Sequence, residues 1–344
     1  MSTESPPSTT PQQSNKYRWT THQVPRPLAS SSSEQDTIVH NEDELTSSPP
    51  AIPPESYVIR NLKQGTTGAT KTWPACGVLL DYLVCRGGLR ELEDKLPARA
   101  IGSDDASIDV LDMTLPPNKF YGSATHPGII NNDGTKAESG YNIVELGAGT
   151  GCLGVGLSMA LNHRDEDQST AKILCTDLDK GTIKNMRFNI SEQPRASNVN
   201  KNVRVEPLGW ADNIGGEKFS KAVERQFVGR GADDLQEEEE PLRLVTHLIG
   251  SDIHFGSHTL EPLSSVISAF KLRNPDIIVV VMIKERSPES FADVAELASI
   301  IEEKVKRGLE LDEHVKMRSE LDDFSVSVRD VLHEEVMNMK LVEC

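Results

Sequence analysis

The sequence predicts an α/β fold, a doubly wound, mostly parallel sheet with helices on both faces. Three observations carry this expectation. Short apolar runs alternate with helical patterns from residue 141 onward, and a glycine-rich run, Gly147 to Gly151, sits between a strand and a helix. The run Asp276-Ile277-Ile278-Val279-Val280-Val281-Met282-Ile283 is almost continuously β-branched, as a strand buried on both faces should be.

Residues 1–55 are dominated by Ser, Thr, Pro and Gln, including Ser30 to Ser33 and Pro49-Pro50. Such a segment buries too little apolar surface to offset its ordering entropy and reads as a disordered polar tail. Folded structure is expected over residues 56–344, starting near the strand-like Tyr57-Val58-Ile59. Pro74 opens a helix with Val78, Leu79, Leu80, Tyr82 and Leu83 on it, and Gly87-Gly88 closes it. An irregular insertion is expected near 91–140.

Asn142 to Leu146 then reads as a strand, followed by the glycine turn and an apolar helix through Leu161. Lys172 to Asp177 is a second strand ending on an acid, Asp179 to Ile190 a helix, and Val203 to Val205 a third strand leading to Leu208-Gly209-Trp210. A second irregular insertion is expected near 213–241, with the solvated charge run Glu237 to Glu240 near its end. The sheet resumes with a strand at Leu244 to Ile249, a helix from Leu260 to Lys271 and the long β-branched strand. A helix from Pro288 to about Lys306 and strands at Phe324 to Val328 and Val336 to Val342 complete it.

The formal charge of −17 over 344 residues argues against nucleic acid or an anionic membrane as partner. The five cysteines form no CxxC pair and lie near no histidine cluster, so no metal site is expected. No run approaches the ~20 apolar residues that span a bilayer, and the polar N-terminus does not read as a signal peptide. A cytoplasmic monomer is expected, with the nucleus a second compartment open to it.

Glycines at 147, 149 and 151 let backbone approach a ligand without β-carbons in the way. The run from Gly149 to Gly154 also satisfies GxGxxG, and Asp177 follows Gly154 by 23 positions, near the spacing of an acid that holds ribose hydroxyls. A dinucleotide and S-adenosylmethionine therefore both fit, and a merely tight turn is the plain alternative. Glu145 separates them: its carboxylate would repel a pyrophosphate, whereas a sulfonium with an amino group welcomes an acid.

Glu145 to Gly151 together with Thr176-Asp177 resembles the first two motifs of seven-β-strand methyltransferases. Thr72-Trp73-Pro74-Ala75, Asn185 and Asn189, Leu208-Gly209-Trp210, Gly250-Ser251-Asp252 and Lys284-Glu285-Arg286 resemble one branch of these, the protein-lysine methyltransferases of family 16 (the methyltransferase-like 21 group). The resemblance implies a Rossmann-like sheet of seven strands with an antiparallel C-terminal strand, and S-adenosyl-L-methionine as cofactor. It implies that Trp73 lies against the cofactor and that Gly147, Ala148 and Gly149 line its methionine portion, with Glu145 the acid that its positive charge welcomes. It further implies that Asp177 accepts from the ribose hydroxyls, Trp210 flanks the adenine and Ser251 touches the cofactor. Ordinary core roles for the tryptophans and a helix N-cap role for Asp177 are the plain alternatives.

Where the family places acid-x-x-Tyr beside the methyl group, this chain reads Asp252-Ile253-His254-Phe255. Asp252 and Phe255 are the expected catalytic residues. The acid would hold an incoming ammonium, and the ring keeps a cation–π wall but lacks the hydroxyl. His254 and His258 are further candidate proton acceptors. The resemblance implies a lysine-containing protein as substrate. A small-molecule N-methyltransferase and a non-catalytic cofactor-binding module are the alternatives.

Overall fold

The computed structural model describes residues 17–24, 56–63, 71–84, 141–162, 171–210, 216–227, 241–284, 289–311, 324–331 and 339–344. In chain order the elements are β1 (Tyr17–Gln23), β2 (Ser56–Leu62), α1 (Pro74–Val84), β3 (Tyr141–Leu146), α2 (Cys152–Asn162), β4 (Ala171–Asp177), α3 (Lys180–Ser191) and β5 (Val203–Pro207). They continue with α4 (Glu217–Phe227), β6 (His247–Ser251), α5 (Leu260–Arg273), β7 (Ile278–Lys284), α6 (Glu289–Leu311), β8 (Ser327–Val331) and β9 (Met339–Glu343).

Seven strands form one sheet in the order β5-β4-β3-β6-β7-β9-β8. The first five are parallel, and β9 alone runs against its neighbours β7 and β8. The expected fold class is therefore the observed one. From β3 the chain steps outward through β4 and β5, then returns to add β6 and β7 on the other side. The strand order thus reverses beside β3, and a doubly wound sheet opens a crevice at such a point, outside the carboxyl ends of the strands.

Side chains on successive strand residues point to opposite faces, so each central strand feeds two cores. Ile143, Ile173, Val280 and Met282 pack with α1, α2 and α3 on one face. Val144, Leu174, Val279 and Val281 pack with α4, α5 and α6 on the other. This double burial is why β7 reads as an unbroken apolar run rather than an alternating one.

Several expectations need correction. Tyr17–Gln23, inside the stretch read as polar tail, is a strand paired antiparallel with β2. Its alternating aromatic and β-branched residues fit a pleated surface, and Trp19 is buried with its ring 6.1 Å from that of Phe188. The stretch 213–241 contains α4, whose Phe219, Ala222, Val223, Gln226 and Phe227 are buried at helical spacing beneath a charged outer face. The strand expected at Leu244 to Ile249 begins later, at His247, because Pro241–Leu244 forms a 3-10 turn. The last two strands also lie three residues later at their starts, at Ser327 and Met339. Gly87-Gly88, the insertion at 91–140, Glu237 to Glu240, Glu285-Arg286 and the remainder of the tail lie outside the described residues.

The β1–β2 hairpin is tied to α3 by two asparagines one helical turn apart. Asn185 donates to the Arg60 carbonyl and accepts from the Arg60 guanidinium; Asn189 accepts from the Arg60 backbone N–H and donates to the same carbonyl. Each such bond contributes about 1 kcal/mol net. Asn189 also donates to the Thr150 carbonyl, which carries the tie into the glycine turn.

Candidate active site

β3 ends at Leu146, and the chain then turns sharply into α2. Gly147, Gly149 and Gly151 have φ of +58°, +55° and +80°, in the left-handed region that favours glycine. A Cβ at Gly147 would lie 2.7 Å from Ile253 Cγ2 and 3.3 Å from the Trp210 ring; one at Gly151 would lie 2.6 Å from Met186 Cγ. The turn is pinned from several sides: Ala148 N–H donates to the Thr176 carbonyl, Gly149 N–H to Asp177 Oδ2, and the Thr150 hydroxyl meets that of Thr72 at 3.1 Å. Three amides of the turn, with Gly151 N–H donating to the Ala148 carbonyl, are thus committed to the protein. What the glycines give a ligand here is close approach more than donors.

Asp177 closes β4, and its carboxylate accepts three backbone N–H groups, from Gly149, Leu178 and Asp179. Burial raises its pKa above the usual carboxylate range, and those three bonds partly offset the rise. The N-cap of α3 is the neighbouring Asp179, which accepts from Thr182 N–H at 2.7 Å. The N-cap reading of Asp177 is therefore set aside.

Glu145 is 1% exposed. Burial pushes its carboxyl up to about 8, against the bonds it accepts from the Cys175 thiol at 3.2 Å and from the Gly154 backbone N–H. The second partner lies in the first turn of α2, where the helix dipole favours the ionised form. Gly154 has no room for a side chain, since a Cβ there would sit 2.9 Å from Glu145 Oε2 and 2.4 Å from Cys175 Sγ.

These residues surround a cleft of about 460 Å³ at the carboxyl ends of β3, β4 and β6. Trp73, Glu145, Gly147, Ala148, Gly149, Asp177, Trp210, Ser251, Asp252 and Phe255, the cofactor-binding and catalytic residues expected from the sequence, line it. Asp252 is 1% exposed and holds a φ of +53°, one of two non-glycine residues among those described in the left-handed region. Strain of this kind costs about 1 kcal/mol or more and collects at functional sites. Phe255 is 46% exposed at the rim.

His254 does not line the cleft. Its ring is buried, with Nδ1 2.7 Å from the Thr259 hydroxyl and Nε2 3.5 Å from Asp293, so it braces α5 and α6 instead. His258 is exposed and is likewise absent from the lining. Sequence reasoning also missed several lining residues: Lys71, whose Nζ lies 3.6 Å over the Trp73 ring, Thr150, Leu178, and the thiols of Cys76 and Cys152. Leu178 left one signal, an apolar side chain directly after the strand-end acid, and it is 70% exposed.

Residues 58–225 match the family model described as lysine methyltransferase. That span runs from β2 through α4 and contains the glycine turn, Glu145, Asp177 and Trp210. The residues also fit S-adenosylmethionine: the cleft has the size of small-molecule sites, its glycine cradle would be filled by a Cβ, and a buried acid faces it. The chain is an S-adenosylmethionine-dependent methyltransferase. No curated protein sequence matches this methyltransferase. Among solved structures it is similar to the methyltransferase domain of bacterial CtHen1, at 14% identity and a TM-score of 0.33, covering 59% of this chain and 88% of that one. It is similar also to the METTL16 methyltransferase domain, at 13% and 0.33, covering 60% of each chain. A third is TYW2 of M. jannaschii in complex with AdoMet, at 10% and 0.31, covering 59% and 66%. Likenesses this distant add nothing to the assignment, which rests on the family match and the site. No described helix is long and apolar enough to cross a membrane.

Proposed function

We propose that this methyltransferase methylates a lysine side-chain nitrogen of a protein. The observation that carries the reading is that a buried carboxyl, Asp252, and the half-exposed ring of Phe255 both line the cleft. The lysine methyltransferase model points the same way, although its match ends before both residues. When bound, S-adenosylmethionine supplies an electrophilic methyl carbon on a sulfonium centre.

The chain's own residues then divide the work. Trp73 and Trp210 offer flat walls to the cofactor, Asp177 an acceptor for the ribose hydroxyls, and Ser251 a small contact at the end of β6. Gly147, Ala148 and Gly149 admit the methionine portion closely, and Glu145 pairs with its ammonium and ionises as it does so. A lysine ammonium arriving at the mouth is attracted by the Asp252 carboxylate and the Phe255 ring face. A free lysine has a pKa of about 10.4, so the amine must shed its proton before it can attack. Asp252 orients the nitrogen, and the in-line geometry does most of the rest.

Radiolabelled S-adenosylmethionine incubated with the purified chain and cell extract tests this reading. Label is expected on one or a few proteins, at lysine after digestion, and is expected to vanish with Asp252→Ala and Asp177→Ala. Label confined to small molecules would instead indicate a small-molecule N-methyltransferase.

A further inference from the structure

Methyl transfer has no use for two thiols in the wall of the cleft. Cys76, in the first turn of α1, and Cys152, the first residue of α2, both line it, and both are otherwise buried. The Tyr57 hydroxyl lies 3.5 Å from Cys152 Sγ. The His22 imidazole stacks on the Tyr57 ring with 5.2 Å between centroids, and Cys76 lines the same cleft wall as Cys152. Three side chains, from β1, β2 and α1, therefore gather around Cys152. The Tyr57 hydroxyl is within hydrogen-bond reach, the imidazole is at hand behind it, and the sulfur sits at a helix N-terminus, an environment that favours a thiolate.

Cys175 gives an internal contrast. It is equally buried, but its thiol donates to Glu145, and burial together with that acid holds it well above the ordinary thiol range. Burial opposes the Cys152 thiolate as well, yet the bonds from Cys76, His22 and Tyr57 outweigh it and draw Cys152 well below that range. Two buried thiols on one core face are thus set in opposite directions, and only Cys152 opens to the cleft with a second thiol beside it.

We propose that Cys152 and Cys76 are a thiol modification site that small hydroperoxides reach through the cleft, with Cys152 attacking and Cys76 resolving. The Cys152 sulfur attacks one peroxide oxygen; an S–O bond forms, the O–O bond breaks, and the departing oxygen takes a proton from His22 to leave as water or an alcohol. The Cys76 sulfur then attacks the resulting sulfenic sulfur; the S–S bond forms, the S–O bond breaks, and hydroxide leaves as water with the Cys76 proton. Two electrons pass from the thiol pair to the peroxide. The disulfide ties α1 to α2 in the wall of the cleft.

The test is exposure of the full-length chain to hydrogen peroxide, followed by digestion without reduction and mass spectrometry. A crosslinked peptide joining Cys76 to Cys152 is expected, forming at least tenfold faster than any oxidation at Cys175. With Cys76→Ser, Cys152 is expected to persist as a sulfenic acid that dimedone labels. With His22→Gln, the rate at Cys152 is expected to fall at least tenfold, with an unchanged circular dichroism spectrum as the control for folding. Oxidation of Cys152 no faster than that of Cys175, or crosslinks through Cys344 alone, would overturn the proposal in the unmutated chain, whatever the variants do.

Discussion

Asp177 and Asp252 both stand at the carboxyl end of a parallel strand and both line one cleft, yet the chain holds them in opposite ways. Asp177 is fixed through its side chain, which accepts three backbone N–H groups around the glycine turn. Asp252 is fixed through its main chain: its N–H donates to the Met282 carbonyl at 2.7 Å, and its φ of +53° is one that few aspartates adopt. The first acid holds the glycine turn together, so its replacement is expected to reach the fold as well as ligand affinity. The second is held at a conformational cost, and strain of this kind collects at functional sites.

Asp252 carries the largest expected effect. Asp252→Asn is expected to lower label transfer at least a hundredfold while leaving S-adenosylhomocysteine affinity within threefold. Asp252→Gly is expected to abolish transfer and yet melt no lower than the unmutated chain, because glycine adopts this φ without steric cost. A clear drop in melting temperature for the glycine variant would mean that the side chain holds the fold, and the contrast with Asp177 would collapse.

Asp177→Ala should show the converse. Removing one acceptor from three backbone donors is expected to destabilise the cofactor-free chain by about 1–3 kcal/mol, read by urea unfolding.

Glu145 gives a subtler effect, visible in pH. Its carboxyl lies at about 8 in the folded chain against an ordinary value of 4.5, so the folded state holds the proton more tightly than the unfolded state does. The stability this contributes is full below pH 4.5 and is lost as pH rises through 8, by on the order of 5 kcal/mol. The cofactor-free chain is therefore expected to weaken across that window, and Glu145→Gln to flatten the slope. Affinity for S-adenosylhomocysteine should move the other way, rising toward pH 8, because its ammonium favours the ionised acid. Identical pH profiles for the two chains would contradict this account of Glu145.

What the sequence revealed follows from how local each signal is. The strand, glycine turn and helix at 141–162 are contiguous, Asp177 ends a strand and Trp210 follows one closely, so their places on the crevice could be read from order and spacing. Tyr17–Gln23 was hidden because its partner strand lies some 40 residues away and its flanks are low in complexity. α4 was hidden because its charged face, with Glu217, Lys221 and Arg225, outweighs five buried positions in a linear reading. The environment of Cys152 depends on His22, Tyr57 and Cys76, three residues remote in sequence, and no local pattern encodes it. His254 looked available for proton transfer until the fold placed it against Thr259 and Asp293.

Titration of S-adenosylhomocysteine into the unmutated chain, Asp177→Ala and Asp252→Asn by calorimetry, at one pH and salt concentration, tests the central claim most directly. The account predicts one site on the unmutated chain, affinity weakened at least tenfold by Asp177→Ala, and affinity within threefold for Asp252→Asn. Absence of binding to the unmutated chain, or equal losses in both variants, would contradict the division of the cleft into a cofactor half and a reacting half.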